Sequence, residues 1–342
     1  MQKLLKGTPK YLDLIRPLGK ARCDYLLLNI SAVCNYNCKK CCNKMESCEI
    51  RKVTLTLPQI KQIIKKAQDQ LGIRTVVLVG EGETLLAPHF KEIISYINRL
   101  GLITIIFTTA FLLNREMAEF LRNNNVSIII SCDSLNQKKY DDLVGVQGAF
   151  QSAINNIESC AEIYSETKGF IELKSKQYEL HRLAFNSVVT DETIDEIDKI
   201  QEFCRSRGMM SILNYPIIKG NLIKHRKELI KTQTSLKKQM KIVFDKSENQ
   251  GFSGTTYDKK CGYLFNGLSI GIDGSILLPC AYCPENEKLF GNVLTYLNKS
   301  DGFVGVHNKV RKVITDFDRG YKIGVCLPRN LLYYNKFCKQ IL

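Results

Sequence analysis

The sequence has no apolar run long enough to cross a bilayer. None of its apolar stretches reaches the ~18 residues that a membrane-spanning helix requires. The first residues, Met1–Gly7, also lack the apolar core of a signal peptide. No low-complexity tract is present, and 44% of the residues are hydrophobic, which excludes a disordered chain. These absences predict a folded cytoplasmic protein with no membrane partner.

Cysteine, in contrast, is abundant. The 342 residues include 14 cysteines. Without a secretion signal, so many thiols indicate a reducing compartment and metal ligation, and they argue against a disulfide framework.

The charge is unevenly distributed. Net charge is +15, from 49 basic and 34 acidic residues. Between Lys219 and Lys246 there are nine basic residues, and the acidic residues are only Glu228 and Asp245. Such a segment fits an anionic substrate, a nucleic acid, an acidic partner protein or a solvated helix between domains, and we favour the solvated helix. The lysines do not alternate with aromatic residues that could stack on the bases of a single-stranded nucleic acid, which argues against nucleic-acid binding.

The order of elements predicts an α/β fold. Six segments carry apolar residues at consecutive positions, a pattern typical of parallel strands buried on both faces: Tyr25–Ile30, Thr75–Val79, Leu102–Phe107, Val126–Ser131, Leu183–Val189 and Met209–Leu213. Helical periodicity follows each strand. Six such units predict an open, partial (β/α)6 TIM-like barrel, whose functional loops lie at the carboxyl ends of the strands.

Composition divides the chain into three predicted regions. Residues 1–218 form the partial barrel, residues 219–254 a basic linker helix, and residues 255–342 a smaller cysteine-rich domain. The segment Ser165–His181 is longer than a normal connection and receives no assignment.

Three cysteines follow the first predicted strand. Cys34, Cys38 and Cys41 stand at CxxxCxxC spacing, and Cys42 is a competing ligand beside the third. Soft sulfur ligands select zinc or an iron–sulfur cluster. A structural zinc site usually takes four ligands as two separated pairs. Three thiols in one loop instead favour a four-iron cluster with one open iron, and zinc remains the alternative.

This loop resembles that of the radical S-adenosylmethionine (radical SAM) enzymes, in which S-adenosylmethionine chelates the open iron. The run after the second strand strengthens the resemblance. Gly82 and Glu83 match the family's Gly-Gly-Glu-Pro motif, which holds the amino group of S-adenosylmethionine, and Gly80 and Glu81 are adjacent. Thr84 replaces the usual proline. The resemblance implies a 4Fe–4S cluster and S-adenosylmethionine as cofactors.

Polar residues of two later strands complete the implied cofactor site. Ser131 and Asp133 lie at the end of the fourth strand and are similar to residues that contact the cofactor in relatives. Asn186 lies on the fifth strand and is included as a cofactor-binding residue, with a hydrogen-bonded core amide as its alternative role.

A second cysteine set occupies the C-terminal third. Its members flank and follow a predicted hairpin with Asp273-Gly274 at the turn. The region resembles the SPASM and shorter Twitch extensions of radical SAM enzymes. A full SPASM pattern needs about seven or eight cysteines for two clusters. This chain offers five, which implies one auxiliary 4Fe–4S cluster, with zinc as the alternative: Cys261, Cys280, Cys326 and Cys338, with Cys283 as alternate ligand.

Four other cysteines of the predicted barrel lie in or beside apolar elements. We expect them in the core: Cys23, Cys132, Cys160 and Cys204.

The implied activity is reductive cleavage of S-adenosylmethionine to a 5′-deoxyadenosyl radical, which abstracts a hydrogen atom from a C–H bond. We expect the substrate to be a small metabolite or natural-product intermediate. The alternative is a maturase that modifies a ribosomally synthesised peptide. Only about 23 residues precede the first strand, so that alternative requires a separate peptide-recognition protein. The family also implies an electron donor such as a flavodoxin or ferredoxin. A non-catalytic electron carrier is a further alternative, against which Gly82 and Glu83 argue.

Overall fold

The structure is a computed structural model. It describes residues 23, 25–42, 54–167, 169–173, 176–214, 216, 220–232, 235, 238, 267–277 and 290–321. No helix in these ranges is both long and apolar enough to cross a membrane.

Six strands in chain order form the centre of an open, mostly parallel sheet, which confirms the predicted α/β architecture. The strand pairs β1–β2, β4–β7 and β7–β8 are parallel. The strands are β1 (Tyr25–Asn29), β2 (Thr75–Val79), β3 (Ile103–Thr108), β4 (Val126–Ser131), β7 (Leu183–Val188) and β8 (Met210–Asn214). Most of their residues are buried on both faces, as consecutive apolar positions predict.

Helices connect these strands, and their ends follow local sequence signals. Thr56 caps the first helix with a capping box to Gln59, Pro58 lies in its first turn, and Gly72 ends it with φ 65°. The longer helices are α1 (Leu57–Leu71), α2 (Phe90–Arg99), α3 (Arg115–Asn123), α4 (Gln137–Val144), α5 (Ala149–Tyr164) and α6 (Ile197–Ser206).

A C-terminal hairpin extends the sheet beside β1. Its strands are β9 (Gly267–Ile270) and β10 (Ile276–Leu277), and β9 pairs in parallel with β1. A Cβ on Gly267 would stand 1.9 Å from the Tyr25 ring, so only glycine allows this approach. The predicted turn is present, with Gly274 at φ 86°. The sheet order is β10-β9-β1-β2-β3-β4-β7-β8.

Two segments differ in detail from the sequence expectation. The unassigned connection forms an antiparallel hairpin of β5 (Gly169–Leu173) and β6 (Lys176–Leu180). Within the basic segment, the described residues form two short helices, α7 (Asn221–Lys224) and α8 (Arg226–Leu229), separated at His225. The last helix, α9, spans Gly302–Tyr321.

The described residues belong to two compact units. One contains residues 34–42 and those between 105 and 238, and the other contains residues 23–33, 54–104 and 267–321. The predicted boundaries at residues 218 and 254 remain predictions.

Candidate functional site

The cysteine loop follows β1. Cys34 is exposed, Cys38 and Cys41 are half-buried, and none of the three forms a disulfide bond. The backbone N–H of Tyr36 donates to the Cys34 Sγ over 3.4 Å. Hydrogen bonds to sulfur of this kind tune the potential of an iron–sulfur centre. Burial raises the pKa of Cys38 to about 12, so cluster binding must displace the proton of this thiol.

The loop is held against the end of α4. The N–H of Asn37 donates to the Val144 carbonyl and the N–H of Lys39 to the Leu143 carbonyl, both over 2.9 Å. Tyr36 is buried and meets the ring of Tyr140 edge-on, with 6.4 Å between the centroids. These contacts fix the backbone on which the cysteines stand.

The third cysteine position is held by residues at the start of α7. The N–H of Asn221 donates to the Cys41 carbonyl over 2.9 Å. A Cβ on Gly220 would stand 2.6 Å from that oxygen, and the residue has φ 59°, so glycine is required there. Cys42 is half-buried like Cys41. The choice of Cys41 as the ligand remains a prediction.

The loop fits a four-iron cluster with one open iron. Its donor set is three thiols in eight consecutive residues, 34–41. The side-chain amide of Asn35 is buried, and neither its nitrogen nor its oxygen has a hydrogen-bond partner among the described residues. A buried amide without partners is costly, and a bound group at this loop would supply one.

Residues 80–83 after β2, here called the glycine–glutamate loop, pack against the backbone segment that precedes the cysteine loop. The N–H of Gly82 donates to the Ser31 carbonyl over 3.0 Å, and the N–H of Glu83 to the Val33 carbonyl over 2.7 Å. A Cβ on Gly82 would stand 2.1 Å from the Val33 oxygen. Val33 directly precedes Cys34 in the chain. Glycine is therefore needed here for a close approach between two backbone segments.

The carboxylate of Glu83 is almost fully buried at the start of a short 3-10 helix, Thr84–Leu86. One of its oxygens accepts from the N–H of Leu85 over 3.0 Å. In the same loop Gly80 and Glu81 are half-buried. Their assignment to S-adenosylmethionine remains a prediction.

A small cavity of about 20 Å³ lies at the end of β4. It is lined by Ser131 and Asp133 of the predicted site together with Cys38 and Lys40. Asp133 accepts from the N–H of Val188 over 2.8 Å and forms an ion pair with the Lys40 ammonium. Burial opposes the charge of Lys40, but the Asp133 carboxylate and the nearby Cys38 and Cys132 sulfurs together outweigh burial and raise the pKa of the ammonium. Sequence reasoning missed this contact.

Asn186 lies on β7, half-buried. Its side-chain oxygen accepts a hydrogen bond from the Asn214 amide of β8. Its role as a cofactor-binding residue remains a prediction.

The four cysteines expected in the core are confirmed as buried thiols: Cys23, Cys132, Cys160 and Cys204. The predicted auxiliary ligands lie outside the described residues: Cys261, Cys280, Cys283, Cys326 and Cys338.

The sequence is similar to one protein family and to several named proteins. The sequence profile of the Radical SAM superfamily matches residues 28–173. A protein of Methanococcus maripaludis named "Probable GTP 3',8-cyclase" is 24% identical over 291 residues, which cover 83% of this chain and 88% of that protein. The "AdoMet-dependent heme synthase" of Methanosarcina barkeri is 27% identical over 183 residues, or 53% of this chain and 47% of that protein.

Solved structures share the fold. SuiB of Streptococcus suis, bound to S-adenosylmethionine, superposes with a TM-score of 0.64 and 17% identity, covering 87% of this chain and 68% of SuiB. The protein anSMEcpe with bound AdoMet superposes with a TM-score of 0.59 and 15% identity, and the match covers 94% of this chain and 92% of the anSMEcpe chain. At these identities the likeness shows the fold alone.

Proposed function

We propose that this chain, whose residues 28–173 match the Radical SAM superfamily, cleaves S-adenosylmethionine reductively and removes a hydrogen atom from a small anionic metabolite. One observation carries the proposal: three cysteines that form no disulfide bond share the loop after β1, and in the same loop the side-chain amide of Asn35 is buried without a hydrogen-bond partner among the described residues. When bound, the cluster and S-adenosylmethionine supply one electron and the 5′-deoxyadenosyl radical.

The chain's own residues bind and orient these groups. Cys34, Cys38 and Cys41 hold the cluster, and the N–H of Tyr36 donates to the first sulfur. Glu83 receives the amino group of S-adenosylmethionine, because a buried carboxylate makes a strong charge-assisted hydrogen bond to a cationic amine.

The auxiliary cluster belongs to the same proposal. Five C-terminal cysteines supply more than the four ligands that one 4Fe–4S cluster needs. A flavodoxin or ferredoxin is the proposed electron donor, and the cytoplasm is the proposed location.

The substrate proposal has two supports. The chain carries a net charge of +15, which favours anionic molecules. Relatives that match 83% of it are named as GTP 3',8-cyclases, and GTP is a small anionic metabolite. A nucleoside triphosphate is therefore the first substrate to test. A peptide is the alternative, since anSMEcpe has been solved with a bound peptide.

The test uses the full chain, reconstituted anaerobically with iron and sulfide and reduced chemically. Formation of 5′-deoxyadenosine is measured with GTP, with other nucleotides and with short peptides, using carbon-deuterated substrates. We expect a nucleotide to stimulate the cleavage and to transfer deuterium into 5′-deoxyadenosine. Stimulation and transfer by peptides alone would overturn the substrate proposal. A fully loaded protein that never cleaves S-adenosylmethionine would overturn the activity itself.

A further inference from the structure

Lys40 of the cysteine loop and Asp133, which follows β4, form a buried ion pair. Their side chains are only 15% and 7% exposed. Lys40 lies between Cys38 and Cys41, and Asp133 follows β4. The second oxygen of Asp133 accepts from the N–H of Val188, so both oxygens of the carboxylate are engaged.

The neighbouring lysine has different surroundings. Lys39 forms ion pairs with Asp142 and Glu228, whose side chains are 59% and 38% exposed, and it does not line the cavity beside Cys38. Surface pairs of this kind contribute little, whereas a buried pair must offset the desolvation of both charges. The pair of Lys40 and Asp133 is therefore a poor choice for stability alone.

We propose that Lys40 and Asp133 are a positioning pair that sets the electrostatic potential at the cluster on the side of Cys38. The inference rests on the proposed function, because it requires a cluster at the cysteine loop. Lys40 lines the same cavity as Cys38, and in the sequence it lies between two of the three proposed ligands. Asp133 holds the ammonium in that position from the end of β4.

The two charges act in opposite directions on the cluster. Reduction adds one negative charge to a cluster that three thiolates already make negative. A positive charge nearby favours the reduced state, and a negative charge opposes it. Loss of the Lys40 charge therefore lowers the midpoint potential, and loss of the Asp133 charge raises it.

The experiment measures the midpoint potential of the cluster by redox titration monitored by electron paramagnetic resonance. The variants are Lys40→Met, Asp133→Asn and the double variant, with Lys39→Met as the matched control. We expect each single change to alter the ratio of reduced to oxidised cluster at least tenfold at a fixed potential, which is about 59 mV for one electron. The shift is downward for Lys40→Met and upward for Asp133→Asn. The double variant lies between them, and Lys39→Met shifts the ratio less than either single variant.

Several results separate the inference from the proposed function. Shifts of both single variants in the same direction, or a shift in Lys39→Met as large as in Lys40→Met, overturn the inference alone. If Lys40→Met fails to take up iron, Asp133→Asn decides: an upward shift supports the inference, and no shift or a downward shift overturns it. A wild-type protein that binds no cluster at the cysteine loop overturns the proposed function together with the inference.

Discussion

Gly82→Ala tests the packing of the glycine–glutamate loop against the backbone segment that precedes the cysteine loop. The new Cβ would stand 2.1 Å from the Val33 oxygen and 2.4 Å from its carbonyl carbon. Both are backbone atoms and cannot rotate away. Carbon contacts need roughly 3.5 Å, so the loop must move by about 1 Å or more. That displacement strains the hydrogen bonds from Gly82 to Ser31 and from Glu83 to Val33, now 3.0 and 2.7 Å long.

The expected cost follows from these contacts. Overpacking costs about 1–3 kcal/mol, and each strained hydrogen bond contributes about 0.5–1.5 kcal/mol. Movement relieves the first term while it increases the second, so we expect a loss of about 2–4 kcal/mol in the free energy of unfolding. The affinity for S-adenosylmethionine should fall at least tenfold, because the Glu83 carboxylate moves with the loop.

Denaturant unfolding and a calorimetric titration with S-adenosylmethionine measure the two effects. Gly305→Ala is the matched control, because its Cβ would meet nothing within 4 Å in the helix α9. Alanine is preferred over glycine in a helix by up to about 1 kcal/mol, so the control should be as stable as the wild type or more so. If Gly82→Ala matched Gly305→Ala in stability and bound S-adenosylmethionine normally, the reasoning about this loop would be refuted.

Two further substitutions test single carboxylates. Glu83→Gln keeps the shape but removes charge assistance of about 1.5–3 kcal/mol, so the affinity for S-adenosylmethionine should fall roughly ten- to a hundred-fold; an unchanged affinity by calorimetry would contradict the assignment. Glu196→Gln removes a buried carboxylate that accepts from Ser134, from the Leu135 N–H and from Lys139, and should cost about 1.5–3 kcal/mol in unfolding free energy at neutral pH. Burial opposes ionisation of Glu196, but these donors outweigh burial and hold its pKa below the ordinary value of a glutamate. This stabilisation is present above the ordinary pKa of glutamate and is lost as the pH falls through the lowered one. Acid should therefore destabilise the wild type more steeply than Glu196→Gln, and parallel pH curves would contradict this role.

Local sequence signals predicted most of the barrel. Consecutive apolar residues located all six central strands, and Thr56 and Gly72 marked the ends of the first helix. Such signals act over a few residues, which is why they are readable in one sequence. The hairpin turn at Asp273-Gly274 was predicted for the same reason.

Long-range pairings were not predictable in this way. The C-terminal strand β9 pairs with β1, and no local pattern identifies a partner about 240 residues away. The ion pair between Lys40 and Asp133 also depends on the folded sheet. The contact of Gly82 with the Val33 backbone was also not predicted, because the sequence provided only a motif match at this glycine.

The central claim is that the thiols of the loop after β1 hold the cluster that cleaves S-adenosylmethionine. The most direct test compares the reconstituted wild type with the triple variant Cys34→Ala, Cys38→Ala, Cys41→Ala under one reductant. Iron content and 5′-deoxyadenosine are measured in the same samples. The account predicts that the variant loses about four irons per chain and all reductive cleavage, while any iron bound by the C-terminal cysteines stays. Continued cleavage of S-adenosylmethionine by the triple variant would contradict the account.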